Sequence, residues 1–240
     1  MRPGGSPPSL GAPRVHLRST SSTNDRAREL ALEGAPHGTL VTASAQTAGR
    51  GRGGRSWSAP PERSLLASLV LRSPPRLLPL IAPLAVADVA GSDARIKWPN
   101  DVVVADGEEL RKLAGILIEG RPQEGWAVLG IGLNVAVELG DLPVELRSTA
   151  ATLGLPESEI EPLLARLLGA LSARLGEPAE ATLAAWRARD ALDGRRVSWA
   201  GGSGLAQGID GDGRLVVARE DGGRAALGAG EVTLVRAVAG

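Results

Sequence analysis

TLVTASAQTAGRGRGGRSWSAPPERSLLASLVLRS, residues 39 to 73, is the stretch on which the reading of this chain turns. TLVTASAQTAG looks like a strand that runs into a glycine-rich loop, GRGRGGRSWSAPPE, and SLLASLVLRS returns as a strongly apolar strand. The loop is therefore suspended between two strands. Gly49, Gly51, Gly53 and Gly54 let the backbone approach an anion closely, and Arg50, Arg52 and Arg55 bring charge that can pair with phosphate oxygens. Trp57, at the end of the loop, offers a flat face on which a purine ring can stack. It is not a Walker loop, because the lysine followed by Ser or Thr is missing, and not a dinucleotide fingerprint, because no helix starts there. Taken alone, the segment reads equally as a solvated turn or as an RGG-type RNA contact, and Trp57 equally as a core anchor.

Outward from the loop, helices and strands alternate. Upstream, RVHLRSTSSTNDRARELALEGAP has apolar positions at Ala27, Leu30 and Ala31, with Ser22 or Thr23 placed to cap a helix and Gly34 and Pro36 to end it. Downstream, Leu77 to Val89 reads as a buried helix, and ARIKW and VVVA as short strands around the turn WPND. KLAGILIEG and GWAVLGIGLNVAV are further strands, separated by RPQEG, whose consecutive apolar residues suit a buried sheet. Leu153 to Leu175 and Pro178 to Arg189 carry helical periodicity. From Asp193 onward, short β-prone runs between glycine turns suggest a small barrel of the SH3 type. The expected organisation is a flexible leader over 1–13, an α/β domain over 14–189 and the barrel over 190–240.

Composition narrows the function. The 240 residues carry 27 basic and 27 acidic side chains, so the global charge favours neither a polyanion nor an anionic membrane as partner. The absence of cysteine excludes disulfides, thiol catalysis and thiolate metal sites. No apolar run is long enough to span a bilayer and MRPGGSPPSLGAP lacks the apolar core of a signal peptide, so the cytoplasm is the expected location. Arginine outnumbers lysine 25 to two, and only three asparagines occur. These five scarce residues, Lys97, Lys112, Asn24, Asn100 and Asn134, fall in the short segments SSTND, IKWPND, RKLAGI and GLNV. Lysine is a compact point charge where arginine is a wide fork, so positions that kept lysine can need that geometry.

Each segment suggests chemistry. Lys97 sits at a strand end, where it can reach phosphate oxygens, and Asp101 beside Asn100 can hold magnesium through oxygen. Lys112 lies at the mouth of the sheet, placed to neutralise both a carboxylate nucleophile and the phosphate it attacks, and Gly115 leaves room for a ligand. Gly130 and Gly132 alternate on one strand face, and Asn134 can read an adenine edge. His16 and His37 read as structural or exposed, and no Ser/His/Asp or Cys/His set is present.

STN, Q-x-AGRGRxGRxW, KWPND, KLAGIL and GIGLN, in this order across residues 22 to 134, together resemble the biotin protein ligase family, biotin–[acetyl-CoA-carboxylase] ligases. The resemblance implies a mixed-sheet α/β catalytic domain with flanking helices, related to lipoate ligases, and a small SH3-like C-terminal domain. It implies that Ser22, Thr23, Asn24 and Gln46 bind biotin, that Arg50, Gly51 and Arg52 close over biotin and its adenylate, and that Gly115, Gly130 and Gly132 line the pocket. By the same resemblance Trp57 covers the adenine, Lys112 holds the carboxylate and α-phosphate, and Arg50, Arg52, Arg55, Lys97, Asn100 and Asn134 contact ATP, with Asp101 on magnesium. Lys112 and Arg52 are the residues expected to carry the reaction. The implied reaction joins biotin's carboxylate to ATP with release of pyrophosphate, then passes biotin to a lysine of a biotin carboxyl carrier protein. Ser21 and Ser58 depart from the family's usual residues but remove none of these contacts. A winged-helix DNA-binding domain, carried by some members, is not expected here, so no repressor role, nucleic acid or membrane partner is; a homodimer is compatible with the reading. A lipoate or octanoate transferase of the same fold and an RGG-type RNA-binding module are the rival readings.

Overall fold

The computed structural model describes residues 10–121, 124–228 and 230–235. Residues 1–9 of the expected leader, part of the RPQEG turn and the end of the expected barrel lie outside them. A seven-stranded sheet is built from β1 (Arg14–Leu17), β2 (Leu40–Ala43), β3 (Ser64–Arg72), β4 (Arg95–Lys97), β5 (Asp101–Asp106), β6 (Glu109–Arg121) and β7 (Trp126–Asn134). The strands lie in the order β1-β2-β3-β7-β6-β5-β4. β1 runs parallel to β2 and the other neighbours are antiparallel, so the sheet is mixed.

Helices cover both faces. α1 (Thr23–Leu32) turns Ala27 and Ala31 onto Val41, Val70, Trp126 and Val128. Its start is fixed by Ser22, whose hydroxyl accepts from the Asn24 N–H, and its end by Arg72, which donates to the carbonyls of Ala31 and Ala35. On the other face lie α2 (Leu78–Ala90), α4 (Ile160–Leu175) and α5 (Ala179–Ala188), while α3 (Val144–Arg147) is a single turn in the segment that follows β7. α2 is apolar almost all round and buried accordingly, and α4 presents Leu163, Leu164, Leu167 and Leu171 to the same core. The helix expected from Leu153 starts only at Ile160: Gly154, at φ 66°, and Pro156 hold the preceding residues out of helical geometry. Leu10 and Gly11, placed in the expected leader, pack on the core and bond to Gly38.

The C-terminal strands β8 (Arg196–Trp199), β9 (Gly202–Ile209), β10 (Leu215–Arg219), β11 (Arg224–Leu227) and β12 (Thr233–Leu234) form a second sheet, antiparallel and ordered β11-β10-β9-β8-β12. Among the described residues β11 and β12 end it unpaired to one another, so what is described is an open sheet where the sequence suggested a small barrel. Val197, Ala206, Ile209, Leu215 and Val217 join the same apolar core as α2, and the Trp98 indole N–H donates to the Gly213 carbonyl at 3.1 Å. The two sheets therefore share one core, and the turn WPND is anchored from the C-terminal side.

Candidate active site

On the α1 face of β7, residues of one parity point the same way, and each meets a different cover. Trp126 and Val128 lie under α1. A Cβ built on Gly130 would lie 2.0 Å from Asn24 Oδ1, and one on Gly132 would lie 2.5 Å from the Trp57 ring. Asn134 comes last, its amide donating to the Ala151 carbonyl at 2.9 Å and accepting from the Ser64 hydroxyl at 3.3 Å. Gly115, paired with Gly132 across the strands, also touches Trp57 and Lys112. Side chains missing from three strand positions thus make the floor of a cavity of about 330 Å³.

The cavity gathers Ser22, Thr23, Asn24, Gln46, Arg50, Gly51, Arg52, Arg55, Trp57, Lys97, Asn100, Asp101, Lys112, Gly115, Gly130 and Gly132. Asn134 is not among them: it is buried in the strand, where its amide ties Ala151 and Ser64 together. His16 and His37 stand elsewhere, within 2.9 Å of the Thr42 hydroxyl and accepting from the Arg72 N–H respectively.

A polar chain forms one wall. Gln46 Oε1 accepts from the Thr23 N–H at 2.8 Å, so a residue of the loop approach supports the first turn of α1. Ser68 on β3 has one hydroxyl proton, and Asn24 Oδ1, 2.6 Å away, can only accept, so the proton goes there. The Thr23 hydroxyl, 2.8 Å from Ser68 Oγ and 3.1 Å from Gln46 Oε1, then donates to one of the two. Asn24 Nδ2 donates to Glu119 Oε2 at 3.0 Å, which fixes the amide orientation from both ends.

The loop itself is a small hairpin. Arg50 and Ser56 form an antiparallel bridge, Gly51 N–H donates to the Arg55 carbonyl, Trp57 N–H donates to the Gly49 carbonyl, and Gly53 and Gly54 turn the tip at φ 63° and 77°. No Cβ fits at Gly49, where it would lie 2.4 Å from the Trp57 carbonyl. Trp57 is laid across Gly115 and Gly132 with Lys112 Nζ 5.7 Å from its ring, and its indole N–H is buried without a partner among the described residues.

The charges are unequally engaged. Arg50 donates to Asp25 at 2.5 Å and to Glu119 at 2.6 Å; desolvation opposes its charge, but the two carboxylates outweigh it and hold its pKa above the ordinary value. Its guanidinium is thus engaged at both terminal nitrogens by carboxylates. Arg55 pairs with Glu231 across to the C-terminal sheet. Lys112 Nζ lies 2.7 Å from Asp101 Oδ1, an ion pair outside the angles of a directed hydrogen bond. Arg52 and Lys97 have no acidic partner among the described residues, and both also line an adjoining cavity of about 220 Å³ with Arg55 and Asp101. Asn100 Nδ2 donates to the Ile116 carbonyl, pinning the start of β5 to β6. Among the described residues Asp101 is the only carboxylate lining the main cavity, and it is engaged by Lys112. No group of three or more His, Cys, Asp or Glu suited to a metal occurs among the described residues, so these side chains do not build a resident magnesium site.

Glu119, Asp25 and Ser68 were not singled out from sequence, nor were Leu146 and Thr149, which close the rim. Glu119 left a signal, as the one charge inside the apolar run LAGILIEG. Leu146 and Thr149 left none, because they reach the cavity through the tertiary path of the segment after β7.

A family profile described as the Biotin/lipoate A/B protein ligase family matches residues 16–135. The bifunctional ligase/repressor BirA of Bacillus spizizenii is 37% identical over 162 residues, 62% of this chain and 49% of that protein, so the chain spans about half that relative's length. The biotin--[acetyl-CoA-carboxylase] ligase of Mycobacterium tuberculosis is 37% identical, covering 92% of this chain and 88% of that protein. Among solved structures, the biotin protein ligase from Aquifex aeolicus in complex with biotin and ATP superposes with a TM-score of 0.77 at 26% identity, over 93% of this chain and 99% of that one.

Proposed function

Because this chain belongs to the biotin/lipoate A/B protein ligase family, we propose that it activates biotin with ATP and transfers it to a lysine of a biotin carboxyl carrier protein. One observation carries the reading: a single cavity is lined both by a wall of neutral hydroxyls and amides and by the cations Lys112, Arg52 and Lys97. A neutral polar wall suits the ureido ring of biotin, and the cations suit a carboxylate and the phosphates it attacks.

A carboxylate acylates an amine only after activation, and joining it to a phosphate brings two anions together. That step needs positioning and charge neutralisation more than acid–base chemistry. In this reading Lys112 faces both anions, Arg52 and Lys97 take the phosphate chain, and Ser22, Thr23, Asn24 and Gln46 orient biotin. Gly115, Gly130 and Gly132 give the ligand its floor, and Trp57 moves off that floor to cover the nucleotide. Arg50, Gly51 and Arg52 keep water from the anhydride until the acceptor amine arrives. Arg55, Asn100 and Asp101 flank the phosphates, and magnesium enters as the counter-ion of ATP. Residues 14–189 would form the catalytic part, and residues 190–240, with the open C-terminal sheet, a supporting module of SH3 type. No helix among the described residues is long and apolar enough to cross a membrane.

Calorimetry with biotin, lipoate and octanoate tests the substrate class, and pyrophosphate release tests the chemistry. Biotin should be the ligand, and Lys112→Gln should abolish pyrophosphate release while the thermal transition stays in place. Near-normal release by that variant would remove Lys112 from its role, and binding of lipoate alone would replace biotin by the rival substrate.

A further inference from the structure

We infer that Glu119 is a positioning residue that closes the glycine-rich loop and sets the polar wall at the same time. Its two oxygens are divided between two parts of the site. Oε1 accepts from Arg50 of the loop at 2.6 Å, and Oε2 accepts from Asn24 Nδ2 of the wall at 3.0 Å. Arg50 is in turn held at its other terminal nitrogen by Asp25 on α1, at 2.5 Å. The loop is thus clasped to a helix and a strand through one guanidinium, next to the Gly49 carbonyl that receives the Trp57 N–H.

The charge count argues that this is a latch and not a phosphate grip. One cation faces two anions, so the clasp carries a net negative charge and repels a phosphate placed beside it. Arg52 and Lys97, without acidic partners among the described residues, remain for that purpose. The Asn24 amide depends on the same carboxylate: without the acceptor at Glu119, the Leu117 carbonyl, at 3.4 Å, is the one left for Nδ2 among the described residues. One acidic side chain on β6 therefore couples the loop's closure to the orientation of the wall. The clasp stands on the geometry alone, while its effect on the adenylate rests on the ligase reading above.

Hydrogen exchange of residues 49–57, measured without ligand, tests it. Glu119→Gln keeps the shape and removes the charge, and the contact is partly exposed, so exchange in the loop should rise roughly tenfold while that of β3 and β7 stays unchanged. Glu119→Asp should recover part of the protection, and raised salt should bring the wild-type loop toward the Gln variant. Biotin affinity and retention of the adenylate should fall with the same ranking. If Glu119→Gln fails to fold, Asp25→Asn opens the other side of the clasp and should give the same local rise. Unchanged loop exchange in a folded variant overturns the inference, as does a rise spread over the whole sheet. If the wild-type protein binds no biotin while the Glu119→Gln variant still shows the local rise, the ligase reading is discarded and the clasp stands.

Discussion

A methyl group added at Gly130 would lie 2.0 Å from Asn24 Oδ1, closer than any real contact. Asn24 has little freedom to move away, because Ser68 and Glu119 hold both ends of its amide. Gly130→Ala should therefore leave the fold intact, since alanine suits a strand at least as well as glycine, yet turn Asn24 out of register. Biotin affinity is expected to drop by roughly tenfold or more, the scale of a lost buried hydrogen bond with an unsatisfied partner, and calorimetry reads it directly. At this scale the sequence was most legible where a residue type was rare or chemically costly. Lys112, Lys97 and Asn24 stood out against an arginine-rich background, and the structure places all three in the cavity. Asn134 stood out equally and lies elsewhere, because scarcity shows that a side chain matters without showing whether it serves a ligand or a neighbouring backbone.

Among the elements, α4 shows how local preference and packing separate. Its apolar positions Leu163, Leu164, Leu167 and Leu171 are buried, while Gly169 on the opposite side is exposed, and a Cβ added there would meet nothing within 4 Å. Gly169→Ala should stabilise the protein by about 0.5–1 kcal/mol, through lower backbone entropy in the unfolded chain, with no effect on ligand binding. Urea unfolding checks it, and destabilisation would mean that α4 needs the glycine. The helices and strands of the α/β part were legible because their apolar periodicities match their burial. The start of α4 was not, because Leu153 and Leu155 continue an apolar pattern that the backbone at Gly154 and Pro156 interrupts. The C-terminal strands were legible from their glycine turns, whereas closure into a barrel depends on pairing between distant edges, which no local pattern records.

For the molecule as a whole, the junction of the two sheets runs through Asp190. Its backbone bridges to Ile96 in the first sheet, while Gly208 of the second approaches its carboxylate, one oxygen of which is buried without a partner among the described residues. Burial, foremost, pushes this carboxyl up to about 6 from 3.8; the Leu192 N–H opposes the shift and the Asp193 charge adds to it. A raised folded pKa means that the folded state binds the extra proton. The resulting stabilisation is complete below pH 3.8 and is lost as pH rises through about 6. Asp190→Asn should therefore be more stable than wild type by about 3 kcal/mol at pH 8 and by only about 0.5 kcal/mol at pH 4, a difference read by urea unfolding at both values. Equal stability at pH 8 would place the carboxylate in water. The shared core explains why such a local charge matters globally, since Val197 and Leu215 of the second sheet pack in one cluster with Leu84 and Ile96 of the first. The central claim, that this one cavity activates biotin and hands it on, is tested most directly by mass spectrometry of a carrier-protein domain incubated with the chain, biotin and magnesium ATP. The acceptor should gain one biotinyl group on a single lysine, with ATP required and with AMP and pyrophosphate as products. An acceptor of unchanged mass, beside a folded protein and the same acceptor competent with another ligase, would contradict it.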